Sequence, residues 1–192
     1  MYTAFVESIK TIYPISKDLE NQLLKRLKKF SGKAGDIIIR SGEVNDTLYF
    51  IDKGMVRSFY YNDEGNSKNE VTAWFVGEYG FIYIPHSFIT QGPSLESVEL
   101  LEDCEMVSIS HRSLHELYSL YPEANLIGRV LTEMYLVMYD DRVRFLRMMS
   151  AQKRNEVFQN MFPEIYERAP KKHIASFLGL TPETLSRVRK KS

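Results

Sequence analysis

Cysteine is almost absent from this 192-residue chain, with Cys104 as the single example, so no intramolecular disulfide can staple it. One thiol and four scattered histidines (His86, His111, His115 and His173) make no zinc constellation, and no bound metal is expected. A run of about eighteen apolar residues, enough to span a bilayer, is missing. So is a basic stretch ahead of an apolar one after Met1-Tyr2-Thr3-Ala4-Phe5. These absences predict a cytoplasmic protein with no membrane partner. The β-rich part holds His86 alone, without a His-x-His pair or a ligand on a second strand, which argues against a jelly-roll metal oxygenase of the cupin type. No Ser, Cys or Lys stands in a recognisable nucleophile setting, and the chain is read as a non-enzyme with no catalytic residues.

Net charge is also missing, at a formal +0, but the two signs are segregated. Residues 142–192 carry 12 Lys or Arg against 4 acids, leaving 13 against 21 in the first 141 residues. A basic C-terminal part meets polyanions, while an acidic N-terminal part is repelled by them and orients the molecule. With 44% hydrophobic and 12% aromatic residues, the chain has ample material for a packed core.

Helical periodicity places Phe5, Ile9 and Ile12 on one face, and Leu19, Leu23, Leu24 and Leu27 on another after Pro14 and a Ser16 cap, so residues 2–30 read as two helices. From residue 31 the pattern changes to short β-branched and aromatic runs: Ile37 to Ile39, Leu48 to Ile51, Met55 to Tyr61, Val71 to Phe75, Leu95 to Leu100 and Glu105 to Ile109. Turn formers separate them, notably Gly35, Gly42, Gly54 and the stretch Asn62 to Asn66, which predicts an antiparallel sandwich or jelly roll ending near Ser110. A short helix over Arg112 to Leu120 precedes a long one opened by Tyr121-Pro122-Glu123. Along it Ile127, Met134 and Met148 recur at sevenfold spacing, with Leu131, Met138 and Phe145 on the adjoining seam and Asp141 interrupting the first. That register predicts a two-stranded coiled coil and a homodimer. Three helical patterns follow Ser150, at about Ala151 to Met161, Pro170 to Leu178 and Pro182 to Lys190.

The last two of these form a helix, a turn and a helix. Ala175 is small where helices cross, Gly179 can adopt the left-handed turn, and Thr181 with Pro182 caps and begins the final helix. Ile174, Phe177, Leu178, Leu180, Leu185 and Val188 form the apolar seam, which leaves Glu183, Thr184, Ser186, Arg187, Arg189 and Lys190 for solvent. Arginine and short polar groups on such a helix suit base edges in the major groove of double-stranded DNA. Lys171, Lys172, Lys190 and Lys191 suit phosphates.

The segment Ile174 to Arg187 strongly resembles the recognition motif of the Crp/Fnr family, and the likeness runs over essentially the whole chain. Gly35, Gly42 and Gly54 stand at family-like turns, and Phe75-Val76-Gly77-Glu78 is similar to the start of the family's phosphate cassette. The resemblance implies an α+β protein: an antiparallel β-roll or jelly-roll sensor domain over 1–120, a long dimerisation helix over 121–149, and a small helix-turn-helix domain over 150–192 with a truncated wing. It further implies a homodimer on a two-fold operator, about 34 Å between half-sites, with Thr181 as cap and Glu183 and Arg187 on bases. Pro182 stands where the family has a further arginine. The expected interface is Ile127, Leu131, Met134, Met138 and Phe145, and the function a transcription regulator gated by a small-molecule effector. The competing reading is a ligand-binding module whose DNA-reading domain is vestigial.

The resemblance also implies an effector pocket at Phe75, Gly77, Glu78, Ser94 and Leu95. Glu78 fits a ribose carboxylate, but Ser94 stands where the phosphate-binding arginine belongs, and Leu95 replaces a small hydroxyl residue. A serine supplies no charge for a cyclic phosphate, so cyclic AMP is not the expected cofactor. The aromatic stretch Trp74 to Phe88 suits an apolar or planar ligand. Cys104 alone cannot hold the iron–sulfur cluster that some relatives use, and His111 with His115 lacks a third metal ligand.

Overall fold

A computed structural model describes residues 2–62 and 69–190. Residues 63–66 of the expected turn, and Lys191, lie outside them. Helices α1 (Tyr2–Ile12) and α2 (Lys17–Arg26) open the chain, and the Ser16 hydroxyl accepts the Leu19 amide as the predicted cap. The second helix ends earlier than its sequence suggests, because Lys28–Gly32 is already β1, paired antiparallel with β8 (Cys104–Ser110). Between them run β2 (Ile37–Ile39), β3 (Thr47–Lys53), β4 (Val56–Asn62), β5 (Asn69–Val76), β6 (Phe81–Ile82) and β7 (Ser97–Leu100). The strands form two four-stranded antiparallel sheets, ordered β1-β8-β3-β6 and β2-β7-β4-β5, which is the jelly-roll arrangement expected. At the β3–β4 turn Gly54 has φ 101°, and a Cβ there would lie 2.5 Å from the Cys104 sulfur, so only glycine fits.

Three apolar clusters organise the molecule. Between the sheets, Ile39, Ile51, Val56, Val98, Leu100 and Met106 fill the roll. On its outer side Phe5, Leu19, Leu23, Phe50, Ile109 and Leu117 join α1, α2 and α4 (His111–Leu120) to the first sheet. Each such buried side chain contributes about 1.5–3 kcal/mol. The third cluster is shared: Met55, just before β4, and Phe75 of β5 pack with Phe158, Ile174, Phe177, Leu178 and Leu185 of the C-terminal part. Those helices are α6 (Ala151–Met161), α7 (Pro163–Arg168), α8 (Lys171–Phe177) and α9 (Pro182–Arg189). The small elements α3 (Pro85–Thr90), β1, β6 and α7 are absent from the sequence expectation.

The long helix α5 (Pro122–Met148) packs along one face only, and this shifts its expected interface. Ile127 is buried and Leu131 half-buried against the chain's own first cluster, while Phe145 packs on the third. Met134 and Met148 are 53% and 81% exposed, with Val137 on the same side. The predicted seam therefore splits. Ile127, Leu131, Met138 and Phe145 are turned inward, and the stripe left outside follows Met134, Val137, Asp141, Arg144 and Met148, about one residue round the helix. Position decides this, since the hydrophobic effect buries the side chains that meet the chain's own sheet and C-terminal helices.

Candidate nucleic-acid interface and interdomain cleft

The turn between α8 and α9 is built as its residues require. Gly179 has φ 64°, in the left-handed region, and the amide of Leu180 donates to the carbonyl of Ala175 at 2.9 Å. Thr181 accepts the Thr184 amide at 3.2 Å, and Pro182 fills the first turn. Leu185 is buried against α6 and α8, which turns the opposite side of α9 outward. Glu183, Ser186, Arg187 and Lys190 are exposed there, and Lys171 and Lys172 are exposed at the start of α8. Two expected contact residues are otherwise engaged. The Thr184 hydroxyl is tied to Thr181 and to Arg187, at 3.2 and 3.1 Å. Arg189 lies over the Tyr166 ring at 4.0 Å and donates to its hydroxyl at 2.7 Å, so it braces α9 on α7. Glu183 sits at the positive end of α9, where its own backbone amide and then the Thr181 hydroxyl hold its carboxyl below the usual range.

Helix α8 in turn lies on β5. The Thr72 amide donates to the Ser176 hydroxyl at 2.9 Å, and His173 is buried beside Arg57. Burial first, then the Arg57 and Lys172 charges, push the His173 imidazole down to about 4, so it is neutral in the fold. Arg57 itself is fully buried, with its Nε donating to Glu99 at 2.6 Å and a further ion pair to Glu70. On the other flank Arg168 of α7 clamps Glu78 through two bonds of 2.9 and 2.8 Å and also reaches Glu102. The Arg168 guanidinium holds the Glu78 carboxyl down at about 2.

Of the residues expected to form an effector pocket, three line a common cleft, and Ser94 and Leu95 are not among its lining. Phe75, Gly77 and Glu78 face a cleft of about 410 Å³ between the second sheet, α5 and α7. Val76 and Leu100 both stand opposite Val56, whereas Ser97 stands opposite Phe59, so Ser94 lies beyond the far end of β7. There the Ser94 hydroxyl donates to the carbonyl of Glu96 at 2.7 Å, and Leu95 is 69% exposed. A cyclic nucleotide needs a cation for its phosphate and a carboxylate for its ribose. In this arrangement Glu78 is held by Arg168 and Arg57 by two carboxylates, so these residues do not fit one. A second cleft of about 410 Å³ adjoins the first through Trp74, Met138, Met161 and Phe162, an aromatic space that the sequence did not disclose because its walls come from four distant segments. Among the described residues there is no group of three or more potential metal ligands, and no helix is long and apolar enough to cross a membrane.

Residues 29–121 match the sequence profile of the cyclic nucleotide-binding domain. The chain superposes on FixK2 from Bradyrhizobium japonicum with a TM-score of 0.73 at 18% identity, covering 86% of this chain and 83% of that one. A transcriptional regulator of the crp/fnr family from Eubacterium rectale gives 0.69 at 16%, with 92% and 83% covered. The chain has the fold of these Crp/Fnr structures, and its roll is similar to the cyclic nucleotide-binding domain. Another structure of this fold is CLP of Xanthomonas campestris, a c-di-GMP responsive global regulator, with a TM-score of 0.70 at 20% identity and 92% and 91% covered. No curated protein matches by sequence. In the Crp/Fnr fold of this chain, α5 spans the roll and the C-terminal helices, and β5 is the platform on which α8 rests.

Proposed function

We propose that the protein is a homodimeric, sequence-specific DNA-binding transcription regulator whose affinity for DNA is set by a small molecule. The observation that carries this reading is α9: a capped helix, buried through Leu185, that presents Glu183, Ser186, Arg187 and Lys190 to solvent on the basic part of the chain. Arginine pairs bidentately with guanine and glutamate accepts from cytosine, so this face reads base edges while Lys171 and Lys172 grip phosphates. The outward stripe of α5 supports dimerisation, because Met134, Val137 and Met148 are large apolar groups that a second copy would cover. Cyclic AMP is not the effector on this reading. What supports that is the Glu78–Arg168 clamp and the neutral Ser94.

The test is fluorescence anisotropy with DNA from the protein's own upstream region against scrambled DNA, at two salt concentrations. Arg187→Ala is expected to lower affinity for the upstream DNA by about 1–3 kcal/mol and to leave binding to scrambled DNA nearly unchanged. Equal binding to both DNAs by the wild type would overturn specific reading and favour a ligand-binding module.

A further inference from the structure

Four arginines around the C-terminal helices and the sheet they rest on fall into two kinds. Arg57 is flanked by Glu70 and Glu99, and Arg168 by Glu78 and Glu102. Arg142 and Arg154 have no carboxylate within 4.0 Å among the described residues, and each keeps a buried nitrogen, Nη1 of Arg142 and Nε of Arg154, with no hydrogen-bond acceptor. A sequestered guanidinium without a counter-charge is unfavourable, and the positive charge of Arg154 acting on Arg142 makes it more so. Arg142 is held by weaker means: it lies 3.6 Å over the Phe177 ring and donates to the Phe177 carbonyl. Burial, with Arg154 nearby, lowers its pKa to about 10, which leaves it charged at neutral pH.

Arg142 lines the second cleft, whose walls are otherwise largely aromatic and thioether groups, among them Trp74, Phe145, Phe158 and Phe177. Asp141 stands at its edge with Arg144, 3.6 Å away, as partner. A volume of about 410 Å³ is enough for a small planar molecule, and pockets for such ligands span roughly 300–1,000 Å³. Ring faces accept a planar apolar body, and the uncompensated guanidinium accepts one negative group.

We propose that this cleft binds an aromatic monoanion, a carboxylate or sulfonate on a planar body, with Arg142 as its counter-charge. The inference deepens the regulator reading and rests on it only for the site's role as effector site; binding itself does not require DNA. The cleft is walled by β5 through Trp74, α5 through Phe145, α6 through Phe158 and α8 through Phe177. Its occupant therefore touches the roll, the long helix and the first helix of the DNA reader at once, and changes how α8 seats on β5.

The test uses the full chain without DNA, so failure of operator binding leaves it untouched. Titration with 8-anilinonaphthalene-1-sulfonate is read by fluorescence beside its uncharged counterpart N-phenyl-1-naphthylamine, with 3-phenylpropanoate as competitor. The anion is expected to saturate one site per protomer, to be displaced by the carboxylate, and to lose roughly tenfold or more in affinity with Arg142→Gln, Arg142→Lys restoring part. The neutral probe should respond little to Arg142→Gln. Because Arg142 also braces Phe177, Met161→Trp provides a second variant: Met161 is 65% exposed at the rim, and the larger ring should block both probes without disturbing the fold. Affinity that is equal for the two probes and indifferent to Arg142→Gln, or unaltered by Met161→Trp, overturns the proposal.

Discussion

The interior of the roll and the cleft beneath β5 are two spaces bounded by the same sheet, and they are built on opposite principles. The interior is aliphatic and filled: Val98, Leu100, Val56 and Met106 are each fully buried. The cleft is aromatic, open on one side and bordered by arginines, two paired with carboxylates and one not. A filled aliphatic space gains stability from every methylene and tolerates no charge, whereas an open aromatic one keeps unsatisfied capacity for a ligand. The contrast is carried by one strand, in which Val76 packs inside the roll while Phe75 packs on the C-terminal helices.

The sharpest way to break this comparison is to put the same charge in both places. Leu100→Asp, in the middle of the second sheet, should cost more than about 4 kcal/mol and abolish cooperative melting, because the carboxylate has no partner between the sheets. Met161→Asp, at the rim of the cleft, should shift stability by no more than about 0.5 kcal/mol. Thermal melts followed by circular dichroism distinguish the two, and similar losses would mean that the cleft is as closed as the roll.

A medium effect is expected from pH. His173 is neutral where α8 meets β5, its pKa pushed from 6.5 to about 4. A base with a depressed folded pKa contributes stability that is fully present above the unfolded value. That stability declines as pH falls from about 6.5 through about 4, since the unfolded chain takes the proton first. Urea melts at pH 7 and pH 5 should differ by about 1–2 kcal/mol from this group. His173→Gln should flatten that interval; an unchanged slope would place the pH response elsewhere.

The smallest effect belongs to the clamp. Arg168→Gln removes the ion pairs to Glu78 and Glu102, and because these groups are partly solvated the loss should be about 1 kcal/mol. Hydrogen exchange should report it as faster opening of α7, with the strands of the roll unaffected; protection lost across β3 and β8 would mean that the clamp supports the roll itself.

Much of this was legible in the chain because it depends on neighbours in sequence. The cap at Ser16, the turn at Gly179 and the Thr181-Pro182 start all act within a few residues, and all stand as their side chains demand. The two sheets followed from β-branched runs between turn formers, since pairing partners are recruited by pattern. The strand Lys28–Gly32 was not legible, for Lys28, Lys29, Ser31 and Gly32 carry no strand signal and the segment is extended only because β8 offers its edge. Nor were α3 and α7, of six residues each, long enough to show a period. Arg189 read as a solvent-facing arginine on α9 because nothing in its own helix announces Tyr166, twenty-three residues earlier.

What the sequence by itself determined is therefore the set of elements with local causes, the segregation of charge and the capped, basic last helix. Which face of α5 is left exposed, which carboxylates Arg57 and Arg168 meet, and which side of β5 borders the cleft were decided only in the tertiary structure. The reason is physical: capping and turn geometry are short-range and act in any context, while burial and ion pairing are settled by competition among distant segments for the same sheet surface.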